Sequence, residues 1–176
     1  MAGEHQVKNM TCVIEACNIL KGYFNITDDN IKAGISTAIL PARVEIISKN
    51  PLVILDGGHN EDGAKAFYNA VLPELKNKNV IVIAGMMADK SVEKSLKPLM
   101  KKADVFFAVT PKNPRAMKCL ELAGIAKKYS KEVIATENVK DALKAANLMM
   151  DKNTLLLVVG SLYLAGEIRE TLLENF

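Results

Sequence analysis

Leu52-Val53-Ile54-Leu55-Asp56-Gly57-Gly58-His59-Asn60 is the stretch whose reading decides the fold. Four apolar residues in a row read as a strand covered on both faces, and they end in a carboxylate and two glycines before a helix-like run begins. Such a junction is where parallel α/β sheets build their ligand sites. The glycines let the backbone approach a ligand closely, and the free N–H groups of a helix start favour anions. The same residues also fit a tight strand-to-helix turn with Asn60 as N-cap and nothing bound.

Outward from this junction, strand and helix alternate. Arg43 to Ser48 and Leu52 to Asp56 are β-rich runs joined by Lys49-Asn50-Pro51, which predicts an antiparallel hairpin at the head of a sheet. Helices are expected over 60–75, 90–102, 114–129 and 138–150, with strands over 79–85, 104–109, 132–136 and 154–160 and a last helix to the end. Val80-Ile81-Val82-Ile83 and Leu155-Leu156-Leu157-Val158-Val159 lack alternation, as strands buried on both sides do. The expected fold is therefore α/β: a doubly wound, mostly parallel, Rossmann-like sheet with one antiparallel strand, flanked by helices.

Upstream, Val7, Met10, Val13, Ile14, Cys17 and Leu20 recur at helical spacing, and Gly22 is a plausible stop. Thr27 or Asp28 then caps a second helix through Ile31, Ile35 and Ile39, ending before Pro41. Two such helices are too small and too one-sided to form a domain alone, so residues 1–40 read as part of a neighbouring unit and 41–176 as the α/β domain.

Composition narrows the function. With 176 residues and 49% hydrophobic content the chain can build a real core. Charged residues make up 24% and the net charge is only +3, which gives a nucleic-acid role no electrostatic support. Cys12, Cys17 and Cys119 have neither a disulfide-framework count nor a metal-ligand spacing, so a reducing cytoplasm fits and no metal-ligating residue is expected. Neither a signal peptide at the start nor a bilayer-length apolar run is evident.

In a parallel sheet the residues after each strand converge on one rim. Here they are Asp56 to Asn60, Gly85-Met86-Met87-Ala88-Asp89-Lys90-Ser91, Thr110-Pro111-Lys112-Asn113-Pro114-Arg115 and Gly160-Ser161-Leu162-Tyr163. The list is polar, Gly-rich and of mixed charge, suited to a phosphorylated or carboxylated ligand. Arg115 has the planar fork that clamps a carboxylate or phosphate, while Asp89, Ser91 and Ser161 fit helix caps equally well. Neither a Walker loop, G-x-x-x-x-G-K-[ST], nor a dinucleotide G-x-G-x-x-G occurs in the chain.

Several ordered motifs carry a resemblance: Gly3-x-His5-Gln6-x-x-Asn9, Pro41-Ala42-Arg43-Val44-Glu45, Asp56-Gly57-Gly58-His59-Asn60, Asp89-Lys90, Asn113-Pro114-Arg115-Ala116 and Gly160-Ser161-Leu162-Tyr163-Leu164. With these the chain resembles the C-terminal domain of the folylpolyglutamate synthases, within the Mur ligase superfamily, together with the last helices of their central ATPase domain. The resemblance implies an ATP-dependent amide ligase that joins L-glutamate to the terminal carboxylate of a folate through an acyl phosphate. It leaves open whether dihydrofolate synthase activity accompanies this.

It also implies site roles. Arg43 would reach the ATP phosphates and Asp56 the ribose, and His59 would face the phosphate or the incoming glutamate, so His59 and Arg43 are the expected catalytic pair. Asn9, with His5 one turn before it, would border the adenine; Ser161 and Arg115 would contact the glutamate side. Magnesium ligands and the phosphate loop are expected in a missing upstream ATPase domain, so the chain alone is expected not to catalyse ligation. The sequence departs from the family at Ala42, where Gly is usual, at Gly58, where Ala is usual, and at Ser91, where a second acid is frequent. A Mur-type cell-wall ligase and a non-catalytic α/β binding module are the competing readings. A module would pack helices 5–39 neatly on its sheet.

Overall fold

A computed structural model describes the backbone from Glu4 to Phe176 and side chains from Gln6 onward. Six strands form one sheet in the order β1-β2-β6-β3-β4-β5. They are β1 (Glu45–Lys49), β2 (Leu52–Asp56), β3 (Asn79–Ala84), β4 (Val105–Val109), β5 (Glu132–Thr136) and β6 (Thr154–Val159). β1 runs antiparallel to β2 as a hairpin with a register irregularity between Ile46 and Ser48, and every other pairing is parallel. The helices are α1 (Glu4–Leu20), α2 (Asp28–Thr37), α3 (Glu61–Val71), α4 (Val92–Met100), α5 (Cys119–Ala126), α6 (Val139–Met149) and α7 (Leu162–Asn175).

The unbroken apolar runs are explained by two cores, one on each face of the sheet. Ile54, Val80, Val82, Phe106, Leu155 and Leu157 point to the face covered by α3, α4 and α5. Val53, Leu55, Ile81, Ile83, Phe107 and Leu156 point to the face covered by α6 and α7. Each such side chain contributes about 1.5–3 kcal/mol when fully buried, so both faces must be apolar for the sheet to hold helices on both sides.

The chain reverses direction across the sheet after β5, when it returns to insert β6 between β2 and β3. β2 and β3 therefore lead into helices on one face and β6 into α7 on the other, which opens a crevice at their carboxyl ends. The register keeps these ends level: Asp56 sits beside Val159, Val159 beside Ala84, and Ala84 beside Ala108.

Two helices differ from expectation. The helix expected over 60–75 is α3 followed by a 3-10 turn over Leu72–Leu75, where Pro73 removes an amide donor. The helix expected from residue 114 begins only at Cys119. Residues 115–117 instead lie against the β3 exit: Ala88 N donates to Arg115 O, Met117 N donates to Met86 O, and Met87 bridges Ala116. Tertiary pairing of that backbone wins over local helix propensity, and it carries Arg115 to the rim.

Among the described residues α1 and α2 contribute none to either core, and α2 has no buried residue. Val7, Val13, Ile19, Tyr23, Phe24 and Ile39 are exposed. Among the described residues no helix is long and apolar enough to cross a membrane.

Candidate functional site

The rim at the carboxyl ends of β2, β6 and β3 holds a cleft of about 250 Å³ lined by His59, Asp89, Lys90, Arg115, Ser161 and Tyr163, among others. Four separate loops supply them. His59 follows the β2 turn and is half-buried, directly before Asn60, whose side chain accepts from Gly63 N at 2.8 Å to cap α3. Ser161 is 1% exposed and caps α7, its Oγ accepting from Leu164 N at 3.1 Å. Arg115 is exposed on the loop pinned to Ala88, and Asn113 Oδ1 accepts from Arg115 N at 2.9 Å. Lys90 lies 3.6 Å from the Asp89 carboxylate. Ser91 occupies the N-cap position of α4 without making a side-chain cap bond, so the capping expected of it is not found.

Asp56 lies beneath this cleft, 6% exposed. One carboxylate oxygen accepts from Gly58 N at 2.7 Å and the other from Val44 N at 2.8 Å. It therefore ties the Asp56-Gly57-Gly58 turn to the segment leading into β1. Gly57 N donates to Ala42 O at 2.8 Å in the same place.

Arg43 is held between two residues in the left-handed region, Ala42 at φ 54° and Val44 at φ 48°. Both flanking side chains are buried, at 5% and 7% exposure. Only glycine adopts such a conformation without strain, so alanine at position 42 carries a backbone cost. Arg43 lines a groove of its own with Ile39, Leu40 and Glu45 on the β1 side of the rim. Glu45, two residues on, pairs not with Arg43 but with Arg169 of α7, whose Nη2 lies 2.7 Å from Oε1.

That pair carries the main electrostatic consequence here. Hydrogen bonding from Arg169, against the opposing effect of burial and with help from Ala42 N, holds the Glu45 carboxyl below its ordinary 4.5. A pKa depressed in the folded state stabilises the fold above the unfolded value, and that contribution is lost as pH falls through the folded one. The wild-type chain should thus lose more thermal stability than Glu45→Gln on going from about pH 6 to about pH 3. Equal losses in melting scans of the two would show that the pair contributes nothing.

The structure brings His59, Arg115 and Ser161 into one cleft, with Asp56 below and Arg43 at its flank. It does not bring Asn9 there. Asn9 lines an apolar groove of about 290 Å³ between α1 and α2, where its Nδ2 donates to Gln6 Oε1 at 3.2 Å. The His5 side chain and Gly3 lie outside the described residues. Among the described residues no group of three His, Cys, Asp or Glu side chains is placed to hold a metal ion. Lys90 and Tyr163 of the cleft were quoted in the motifs without a site role, and Arg169 of α7 was not singled out. Lys90 and Tyr163 stand in rim segments, but Arg169 carries no local signal.

Comparison with known proteins gives a consistent result. Residues 42–162 match the family described as Mur ligase, glutamate ligase domain. The folylpolyglutamate synthase of Lacticaseibacillus casei is 32% identical over 98% of this chain and 40% of its own length. A Mycobacterium tuberculosis folylpolyglutamate synthase complexed with ADP is 25% identical, with a TM-score of 0.86 over 98% of this chain and 41% of that one. A bifunctional folylpolyglutamate synthase/dihydrofolate synthase with Mn, AMPPNP and L-glutamate bound is 25% identical, with a TM-score of 0.71 over 85% of this chain and 36% of that one. The chain thus spans about 40% of the length of such relatives.

Proposed function

The chain belongs to the Mur ligase family through its glutamate ligase domain, and on that premise we propose that it forms the C-terminal part of a folylpolyglutamate synthase. The terminal carboxylate of a folate takes the γ-phosphoryl group of ATP, and the amine of L-glutamate attacks the acyl phosphate, forming the amide and releasing phosphate. The observation that carries this reading is the cleft itself, where an imidazole, a guanidinium and an ammonium from three different loops face one space at the switch point of the sheet. Arg115 and Lys90 are suited to the two carboxylates of glutamate, and His59 faces the space where the amine meets the acyl phosphate.

Arg43, at the flank, would meet the charge spread over the transferring phosphoryl group. Asp56 serves first to hold the Arg43 segment, and its place at the end of β2 is where it would meet a ribose. Residues 1–40 belong with a central ATPase domain, a division supported by the apolar surface that α1 and α2 leave exposed. Asn9 would then border the adenine from that side. The same surface disfavours a free-standing binding module. Since the chain carries no phosphate loop, magnesium and the triphosphate would be held mainly by that other domain, and this chain by itself would not turn over.

Kinetics of the protein carrying both parts test the assignment. Arg115→Ala should raise KM for glutamate by about tenfold or more, the loss of a charge-assisted pair, while KM for ATP stays within about twofold. An unchanged KM for glutamate removes Arg115 from the site.

A further inference from the structure

The segment that presents Arg43 is strained and yet fixed from several sides. Two left-handed non-glycine residues separated by one position, Ala42 and Val44, are strained and persist only where surrounding structure over-determines them. Here the bonds are visible. Ala42 N donates to Glu45 Oε2 at 2.8 Å, Val44 N donates to Asp56 Oδ2 at 2.8 Å, and Ala42 O accepts from Gly57 N at 2.8 Å.

Glu45 is in turn gripped by Arg169. Nε donates to both carboxylate oxygens at 3.1 and 3.0 Å, and Nη2 donates to Oε1 at 2.7 Å. The Glu45 side chain is only 12% exposed and that of Arg169 31%, so the pair is partly shielded from water. A planar fork fixes the carboxylate in orientation as well as position, which a lysine would not do. The carboxylate has one face on Arg169 and one oxygen on Ala42 N, so the orientation of the guanidinium is passed directly to the backbone that carries Arg43.

We propose that Glu45 and Arg169 are positioning residues: the Arg169–Glu45 clamp on Ala42 holds the strained segment that presents Arg43 to the transferring phosphoryl group. α7 thereby serves the rim twice, through Ser161 at its start and Arg169 two turns later. The inference rests on the reading of Arg43 proposed above.

A double-mutant cycle in the protein that also carries the phosphate loop separates the two ideas. Arg169→Gln should lower kcat about tenfold with KM for ATP and glutamate within about twofold, and should have no further effect in an Arg43→Ala background. Arg169→Lys, which keeps the charge and loses the fork, provides the same comparison if the glutamine variant folds poorly. A loss that persists undiminished on top of Arg43→Ala marks general destabilisation and overturns the positioning role. So does wild-type turnover in Arg169→Gln while Arg43→Ala is slow. Wild-type turnover in Arg43→Ala itself overturns the reading of Arg43, and the clamp's role with it.

Discussion

Arg43→Ala should lower turnover of the complete ligase by about 100-fold or more, equivalent to roughly 3 kcal/mol of transition-state stabilisation. The size follows from what the side chain is. A guanidinium is permanently charged, is weakly hydrated and offers parallel donors, so it stabilises charge spread over phosphoryl oxygens better than any substitute. Its segment is also held in advance, so little reorganisation is needed when charge develops. Because the Ala42 and Val44 amides donate to the Glu45 and Asp56 carboxylates, removing the Arg43 side chain should leave the fold intact. Steady-state rates with ATP, a folate and glutamate, beside a melting curve, check both halves. A slow variant with a wild-type melting temperature fits; wild-type rates exclude Arg43 from the reaction.

Gly160→Ala should destabilise the domain by about 3 kcal/mol or more, the combined cost of a forbidden backbone conformation and an overpacked contact. Gly160 has φ +122°, and a Cβ there would stand 2.7 Å from Gly85 O and 3.1 Å from Met86 Sδ. The nearest obstacle is backbone, which cannot swing aside. Relief would require β6 and β3 to part at their carboxyl ends, where Gly85 N donates to Val159 O, and would drag Ser161 out of its cap. Gly124, in α5 with open space around its missing Cβ, is the control: Gly124→Ala should be neutral or stabilising by up to about 1 kcal/mol. Urea midpoints of the two variants settle the contrast. A wild-type midpoint for Gly160→Ala would mean that the rim tolerates the strand separation.

Most of the fold was legible because its determinants are local or periodic. β2, β3 and β6 read as apolar runs since each sends alternate residues to two separate cores. Thr27 and Asn60 read as caps since capping needs only a short polar side chain at a helix start, and both make those bonds. The rim could be read because parallel topology alone decides where strand exits point. What stayed hidden depends on distant partners. The region after Asn113 has helix-forming residues, and only its bonds to Met86 and Ala88 turn it into a paired loop.

The site divides along the same line. His59, Arg115 and Ser161 were found as strand-exit residues, and they share the cleft. Arg169 was not found, being 124 residues from its partner Glu45 with no motif of its own. The strain at Ala42 left one trace, the departure from the glycine that the resemblance implies there. Asn9 was placed from the resemblance, and it lines a groove between α1 and α2 rather than the cleft of His59, Arg115 and Ser161.

The central claim is that the cleft between His59, Arg115 and Ser161 receives the incoming glutamate. A crystal structure of the complete ligase with a non-hydrolysable ATP analogue and L-glutamate tests it most directly. The account predicts glutamate density with a carboxylate within hydrogen-bond distance of Arg115 and the amine turned toward His59. Glutamate bound elsewhere, with this cleft holding only solvent, would contradict it.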